Sequence, residues 1–323
     1  MKIKSDIFYA KILLFGEYSV IHNSKGLIIP YGHFRGELAF LNKNRYTDYE
    51  FAKLSNSHLK EFAEHLILKK DADNMNVNLD IDAFLHDIHK GMFFESTIPQ
   101  GFGLGSSAAL VASVYHKYVK NKVISRKRIS SSEINKLKED FSELEAFFHG
   151  TSSGVDPLNS YIKYPVLIKG NNEFETVGIP KNKDNNDSAI FLLNTHKSRK
   201  TGPLVKIFLE KSKNKDYDKA IRQKLIPINN KCIETFINGD FDEFSIYLKQ
   251  LSQFQLEYFQ EMIPNECVKY WENGLSDDSY YLKLCGAGGG GFILGFTKEF
   301  KNVKNALSSN GKDFIPVYRN NGS

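Results

Sequence analysis

Cysteine is scarce: Cys232, Cys267 and Cys285 are odd in number, far apart, and in no CxxC or Cys/His ligand spacing. They exclude a disulfide framework and a zinc module, and they fit a reducing, cytoplasmic setting. Long apolar runs are missing too. No 18 apolar residues occur together, and "MKIKSDIFYAKILLF" has no long apolar core followed by a small-residue cleavage site. The expectation is no export signal and no membrane partner. Charge of one sign is not concentrated anywhere: the net +5 is spread through mixtures such as "KLKEDFSELE", without a basic arm or a basic stripe interleaved with aromatics. That weakly favours anionic ligands and excludes nucleic acid as the expected partner. Sequence repeats are absent as well.

What is present is a globular composition. A chain of 323 residues with 41% hydrophobic and 13% aromatic residues is comfortable as two domains, each with a core. "AKILLFG", "YSVI" and "GLIIPY" read as strands punctuated by Gly16, "HNSKG" and Pro30. Residues 51–70 read as a polar helix, and "NVNLDI" alternates like a further strand. The polar stretch "NNEFETVGIPKNKDNNDS" reads as an exposed link to a second domain. That domain opens on the strand "AIFLLNT", continues through helices over residues 203–273, and closes with "YYLKLCGAGGGGFILGF", two apolar runs around a glycine tract. So many glycines between strands predict close packing against another backbone or a ligand.

"PQGFGLGSSAALVAS", residues 99–113, puts Gly101, Gly103 and Gly105 directly before a helical pattern of Leu110, Val111, Val114, Tyr115 and Tyr118. It is not a P-loop, because no Lys follows Gly105, and it is not a dinucleotide fingerprint, because Ser106 stands where glycine is needed. A flexible turn would explain the glycines alone. Their place at a helix N-terminus favours anion binding, where main-chain N–H groups and the helix dipole meet.

A second helix is marked by Ser130 and Glu133 as a capping box, with Ile134, Leu137, Phe141, Leu144 and Phe148 on one face. Glu145 lies at the edge of that face, so its carboxylate needs a cation, a donor or water nearby. A rim glutamate reaching solvent is the simpler alternative. Asp156, between Gly154 and Pro157, reads as an acid presented on a tight turn outside any regular element.

Three motifs in one order, "AKILLFGEYSVIH", "PQGFGLGSSAA" and "LCGAGGGGF", resemble those of the GHMP kinases over nearly the whole chain. The resemblance implies an α+β, two-domain GHMP kinase fold: a ribosomal S5 domain 2-like part over 1–180 that binds ATP, and a ferredoxin-like part over 181–323. It implies that Gly101, Phe102, Gly103, Leu104, Gly105, Ser106 and Ser107 cradle ATP with Ser96 as a further nucleotide contact. Ser107 and Glu145 would be Mg2+ ligands, Asp156 the catalytic base and Lys11 its catalytic partner. "EAFFHGTSSGVDPLNS" and "LLNTHKSRKTGPLV" further resemble mevalonate kinases. In that match Glu17, Tyr18, Arg199 and Thr201 would face a mevalonate-like hydroxy acid, the guanidinium fork suiting its carboxylate. Two departures stand out: Tyr18 follows Glu17 where mevalonate kinases usually have His, and Tyr9-Ala10 precedes Lys11 where they have Pro-Gly. Tyr at that place is found in phosphomevalonate kinases, so phosphomevalonate or a sugar is the alternative acceptor, and a non-catalytic GHMP-fold sensor the alternative class. A homodimer is left open.

Overall fold

The computed structural model describes residues 6–41, 48–125, 129–170, 173–180, 187–199, 201–308 and 313–319. In chain order the elements are β1 (Phe8–Phe15), β2 (Gly26–Phe40), α1 (Tyr49–Asp71), α2 (Ile81–His89), β3 (Met92–Ser96), α3 (Ser106–Tyr118), α4 (Ser131–His149), α5 (Val155–Ile162), β4 (Val166–Gly170) and β5 (Glu173–Thr176). There follow β6 (Ala189–Asn194), α6 (Thr201–Lys211), α7 (Lys215–Ala220), α8 (Ile226–Asn238), α9 (Phe241–Tyr258), α10 (Asn265–Asp277), β7 (Tyr280–Leu284), β8 (Phe292–Thr297), α11 (Phe300–Ser308) and β9 (Phe314–Arg319).

Local chemistry corrects four sequence expectations. "YSVI" is not a strand: Ser19–His22 form a 3-10 turn, entered through Tyr18 at φ +62° and left through Asn23 at φ +66°. Hydrogen bonds from Val20 N–H to the Gly16 carbonyl and from Asn23 N–H to the Val20 carbonyl outweigh the β propensity of Val and Ile there. "NVNLDI" yields a single bridge, Leu79 to Val119, because the Asp80 side chain caps α2 by accepting from Ala83 N–H. Pro30 does not end a strand but lies inside β2. Within the expected exposed link, Glu173–Thr176 form β5 and pair with β4, while residues 171–172 and 181–186 lie outside the described residues. The capping box of α4 is present as read, with Ser130 and Glu133 each bonding the other's backbone N–H.

The chain forms two compact units that interleave along the sequence: residues 1–11, 30–99 and 104–164 in the first, and 12–29, 100–103 and 165–323 in the second. In the first unit, Gly36–Phe40 of β2 pair antiparallel with β3. Its central element is α3, on which Ala108, Ala109, Val111, Ala112, Val114 and Tyr115 are all fully buried. The small alanines let α4 and α5 pack closely on it, with Tyr115, Phe141 and Tyr161 in mutual ring contact.

In the second unit, Gly26–Ile28 of β2 pair with β4, which pairs with β5. A separate antiparallel sheet has the order β7-β8-β6-β9. Its connectivity, β6, helices, β7, β8, α11, β9, is the βαββαβ pattern of a ferredoxin-like fold. Phe15, Phe236, Phe244 and Phe296 form one aromatic cluster of this unit's core. The α+β, two-part architecture is the one implied by the motifs.

Candidate functional site

The first unit brings Lys11, Ser107, Glu145 and Asp156 together. Lys11 is fixed along β1, where its N–H donates to the Leu104 carbonyl at 2.9 Å. A Cβ on Gly105 would stand 2.9 Å from Lys11 Cγ, so glycine there leaves the lysine stem its path. The Lys11 Nζ reaches Asp156 Oδ2 at 2.7 Å.

Asp156 departs from its sequence reading. It lies not on an irregular turn but in the first turn of α5, entered through Gly154 at φ +73°. A Cβ at 154 would meet the Lys138 carbonyl oxygen at 2.0 Å, so only glycine allows the helix to start against α4. Pro157 does no harm in a first turn, where the missing N–H has no helical partner. An Asp-Pro pair can thus open a helix as well as a turn.

Glu145 is buried, with 4% of its surface exposed. Ser152 Oγ donates to its Oε2 at 2.5 Å and Ser107 Oγ approaches its Oε1 at 3.4 Å. Burial, followed by the charge of Asp156, pushes its carboxyl up to about 7, against the Ser152 bond, the Lys11 charge and the Ser107 bond. The rim-glutamate alternative is therefore set aside by geometry. A buried carboxylate converging with a serine hydroxyl is a hard oxygen pair, the chemistry Mg2+ accepts when phosphate oxygens and water complete its shell. Among the described residues no group of three or more His, Cys, Asp or Glu gathers to hold a metal alone. The pair thus fits a nucleotide-bound Mg2+ better than a self-contained protein site.

Gly105 precedes Ser106 as the N-cap of α3 at φ +78°, and Ala109 N–H closes the first turn onto the Gly105 carbonyl at 3.0 Å. The N–H groups of Ser106, Ser107 and Ala108 come before that first ladder bond, as at any helix start. Leu104 is buried, whereas Ser106 and Ser107 are half-buried. Ser96, at the end of β3, accepts from the Ile98 N–H at 3.0 Å.

In the second unit, the Gly101 carbonyl accepts from the Arg199 N–H at 3.0 Å, and the Phe102 ring packs on Phe292. Gly103 lies against the guanidinium of Arg199. That guanidinium donates to the carbonyls of Gly288 at 2.9 Å and Cys285 at 3.0 Å. The Tyr18 hydroxyl donates to the Ala287 carbonyl at 2.5 Å. Glu17 is held by Lys283 at 2.5 Å in an ion pair with both side chains at most 1% exposed. Burial raises the Glu17 pKa while the Lys283 charge opposes it. Thr201 begins α6 and is exposed. The glycine tract packs against backbone: Gly289 N–H donates to the Met262 carbonyl and Gly291 N–H to the Lys197 carbonyl, both at 2.6 Å. Glu17, Tyr18 and Arg199 are thus brought to one tract, Glu17 through Lys283 beside it, with the Tyr18 hydroxyl, Glu17 Oε1 and both terminal nitrogens of Arg199 engaged by protein.

Three residues escaped the sequence reading. Lys283 carried no signal, since a lysine inside an apolar strand reads as an outward residue. Ser152 lay in a polar linker. His149 ends α4, and its Nε2 lies 3.0 Å from Ser107 Oγ.

Residues 60–161 match the family model described as GHMP kinases N terminal domain. That span holds the glycine loop, Ser107, Glu145 and Asp156. Over that span the chain is similar to the GHMP kinases. A mevalonate kinase of Dictyostelium discoideum is 25% identical to this chain over 246 residues, which is 67% of the chain and 61% of that relative, less than two thirds of its length. The crystal structure of L. major mevalonate kinase in complex with R-mevalonate is similar with a TM-score of 0.60 at 15% identity, covering 95% of this chain and 91% of that one. Streptococcus pneumoniae phosphomevalonate kinase in complex with phosphomevalonate and AMPPNP is similar with a TM-score of 0.60 at 15% identity, covering 98% and 99%. Equal scores for two acceptors mean that the fold does not choose between them.

Proposed function

We propose that the protein is a GHMP kinase that transfers the γ-phosphoryl group of ATP to the 5-hydroxyl of mevalonate, a step of isoprenoid precursor synthesis carried out in the cytoplasm. The observation that carries the reading is the 2.7 Å contact of Lys11 with Asp156, beside the buried Glu145–Ser107 pair. Phosphoryl transfer asks a protein for positioning and charge neutralisation more than for covalent chemistry. Asp156 orients the acceptor hydroxyl and takes its proton; a carboxylate is a weak base towards an alcohol, so the proton leaves late, as the phosphoryl group arrives. Lys11 stabilises the oxygen that becomes negative. The loop from Gly101 to Ser107 and the start of α3 offer main-chain N–H groups to the phosphates, with Ser96 nearby in sequence as a further nucleotide contact. Glu145 and Ser107 would hold Mg2+, which when bound supplies neutralisation of phosphate charge. On this reading residues 1–180 form the ATP-binding domain and 181–323 the C-terminal one.

Mevalonate is favoured by the Dictyostelium discoideum relative and by the two mevalonate-kinase-like stretches around Asp156 and Arg199. A second reading, phosphomevalonate as acceptor, is favoured by Tyr18 and by the engagement of the Arg199 fork with two carbonyls. No described helix is long and apolar enough to cross a membrane, which is compatible with a small-molecule substrate met in solution. The test is ADP release by the purified protein with mevalonate, phosphomevalonate, galactose and homoserine in parallel. Turnover with mevalonate alone supports the reading; turnover with another acceptor and none with mevalonate replaces the substrate and keeps the kinase.

A further inference from the structure

Ser107 has one hydroxyl proton and two neighbours that can take it: Glu145 Oε1 at 3.4 Å and His149 Nε2 at 3.0 Å. The two choices differ chemically. Pointed at Glu145, the proton lies between the two oxygens that a cation would share, and it occupies a carboxylate lone pair. Pointed at His149, it leaves that space, and both the serine oxygen and the carboxylate present lone pairs to the same point. The shorter contact is the one to His149, and 3.4 Å is long for an O–H···O bond.

We propose that His149 is a positioning residue for divalent-cation binding: with its own proton on Nδ1, its Nε2 accepts the Ser107 hydroxyl proton and turns the serine oxygen towards the cation beside Glu145. The other Glu145 oxygen is held by Ser152, whose Oγ also accepts the Gly154 N–H at 3.0 Å. Ser152 thereby ties the carboxylate to the entry of the helix that carries Asp156. His149 and Ser152 address different members of the Glu145–Ser107 pair, one orienting the hydroxyl and the other the carboxylate. Because His149 is exposed at the C-terminal end of α4, it is dispensable to the core. Its position four residues after Glu145 places both on one face of the helix.

The inference rests on the proposed binding of a metal-nucleotide, and its test reads binding rather than turnover. Mn2+ would be titrated, by its electron paramagnetic resonance signal, into the protein in the presence of AMPPNP. His149→Phe keeps a ring without an acceptor, and His149→Gln restores an acceptor through its side-chain carbonyl. The expected result is a three- to ten-fold higher half-saturating Mn2+ concentration for His149→Phe, about the value of one hydrogen bond. Substantial recovery is expected in His149→Gln, with unchanged melting temperature in both. Wild-type Mn2+ dependence in His149→Phe overturns the inference, as does an equal loss in both variants. Divalent-independent AMPPNP binding by the unmutated protein overturns it together with the metal-nucleotide reading. Normal Mn2+ behaviour with no turnover of any acceptor would remove the acceptor assignment alone.

Discussion

Lys11 Nζ and Asp156 Oδ2 stand 2.7 Å apart, yet the two side chains are unequally sunk, 9% exposed for the lysine and 38% for the aspartate. The lysine is nearly enclosed and the carboxylate keeps an open side. On the proposed reading, an acceptor hydroxyl would approach Asp156 from that open side without displacing Lys11.

Asp156→Asn should lower kcat by about 10²- to 10⁴-fold, the usual worth of a general base, while leaving AMPPNP affinity nearly unchanged. Asn is tolerated in the first turn of a helix, so the variant should fold. Near-normal kcat in that folded variant would remove Asp156 from the chemistry and leave Lys11 and the metal to carry the reaction.

For Glu145→Gln the shape stays and the charge facing the cation goes. The Mg2+ concentration needed for half-maximal turnover should rise by about ten-fold or more. An unaltered Mg2+ titration would mean that Glu145 is buried for structural reasons only.

Lys283→Met leaves Glu17 as a buried charge without its partner and should cost roughly 3–5 kcal/mol of stability. Glu17→Gln combined with Lys283→Met removes both charges and should recover much of that loss. Urea unfolding of the single and double variants measures both. If the double variant is as unstable as Lys283→Met, the pair is not the origin of the cost.

Arg199→Lys gives up a fork that spans two carbonyls, Cys285 and Gly288. A lysine can reach one of them at best, so unfolding free energy should fall by roughly 1–3 kcal/mol whether or not substrate is present. Thermal unfolding of the unliganded protein, together with acceptor KM, separates the roles. Unchanged stability with a raised acceptor KM would return Arg199 to direct recognition of the acceptor.

Local patterns that settle themselves within one turn were legible in the sequence. Ser130 and Glu133 cap α4 as read, the polar run over residues 51–70 lies within α1, and the glycine loop does lead into α3. The reading failed where a remote partner or a cap outweighed propensity. Val20 and Ile21 became a 3-10 turn, and the alternation of "NVNLDI" was overridden by Asp80. Pro30 was absorbed into a long strand.

By itself the sequence determined the order of the motifs, the start of α3 behind its glycines, and the residue types a phosphate and a divalent cation need, because these depend on short-range backbone and side-chain chemistry. Only the tertiary structure decided where each charge resides. Glu17 is 266 positions from the lysine that neutralises it, Arg199 is 86 and 89 positions from the carbonyls it binds, and Ser107 is 42 positions from His149. A free carboxylate and a paired one are the same letter in a sequence. Desolvation and the few ångströms to a partner separate them, and those exist only once the chain has packed.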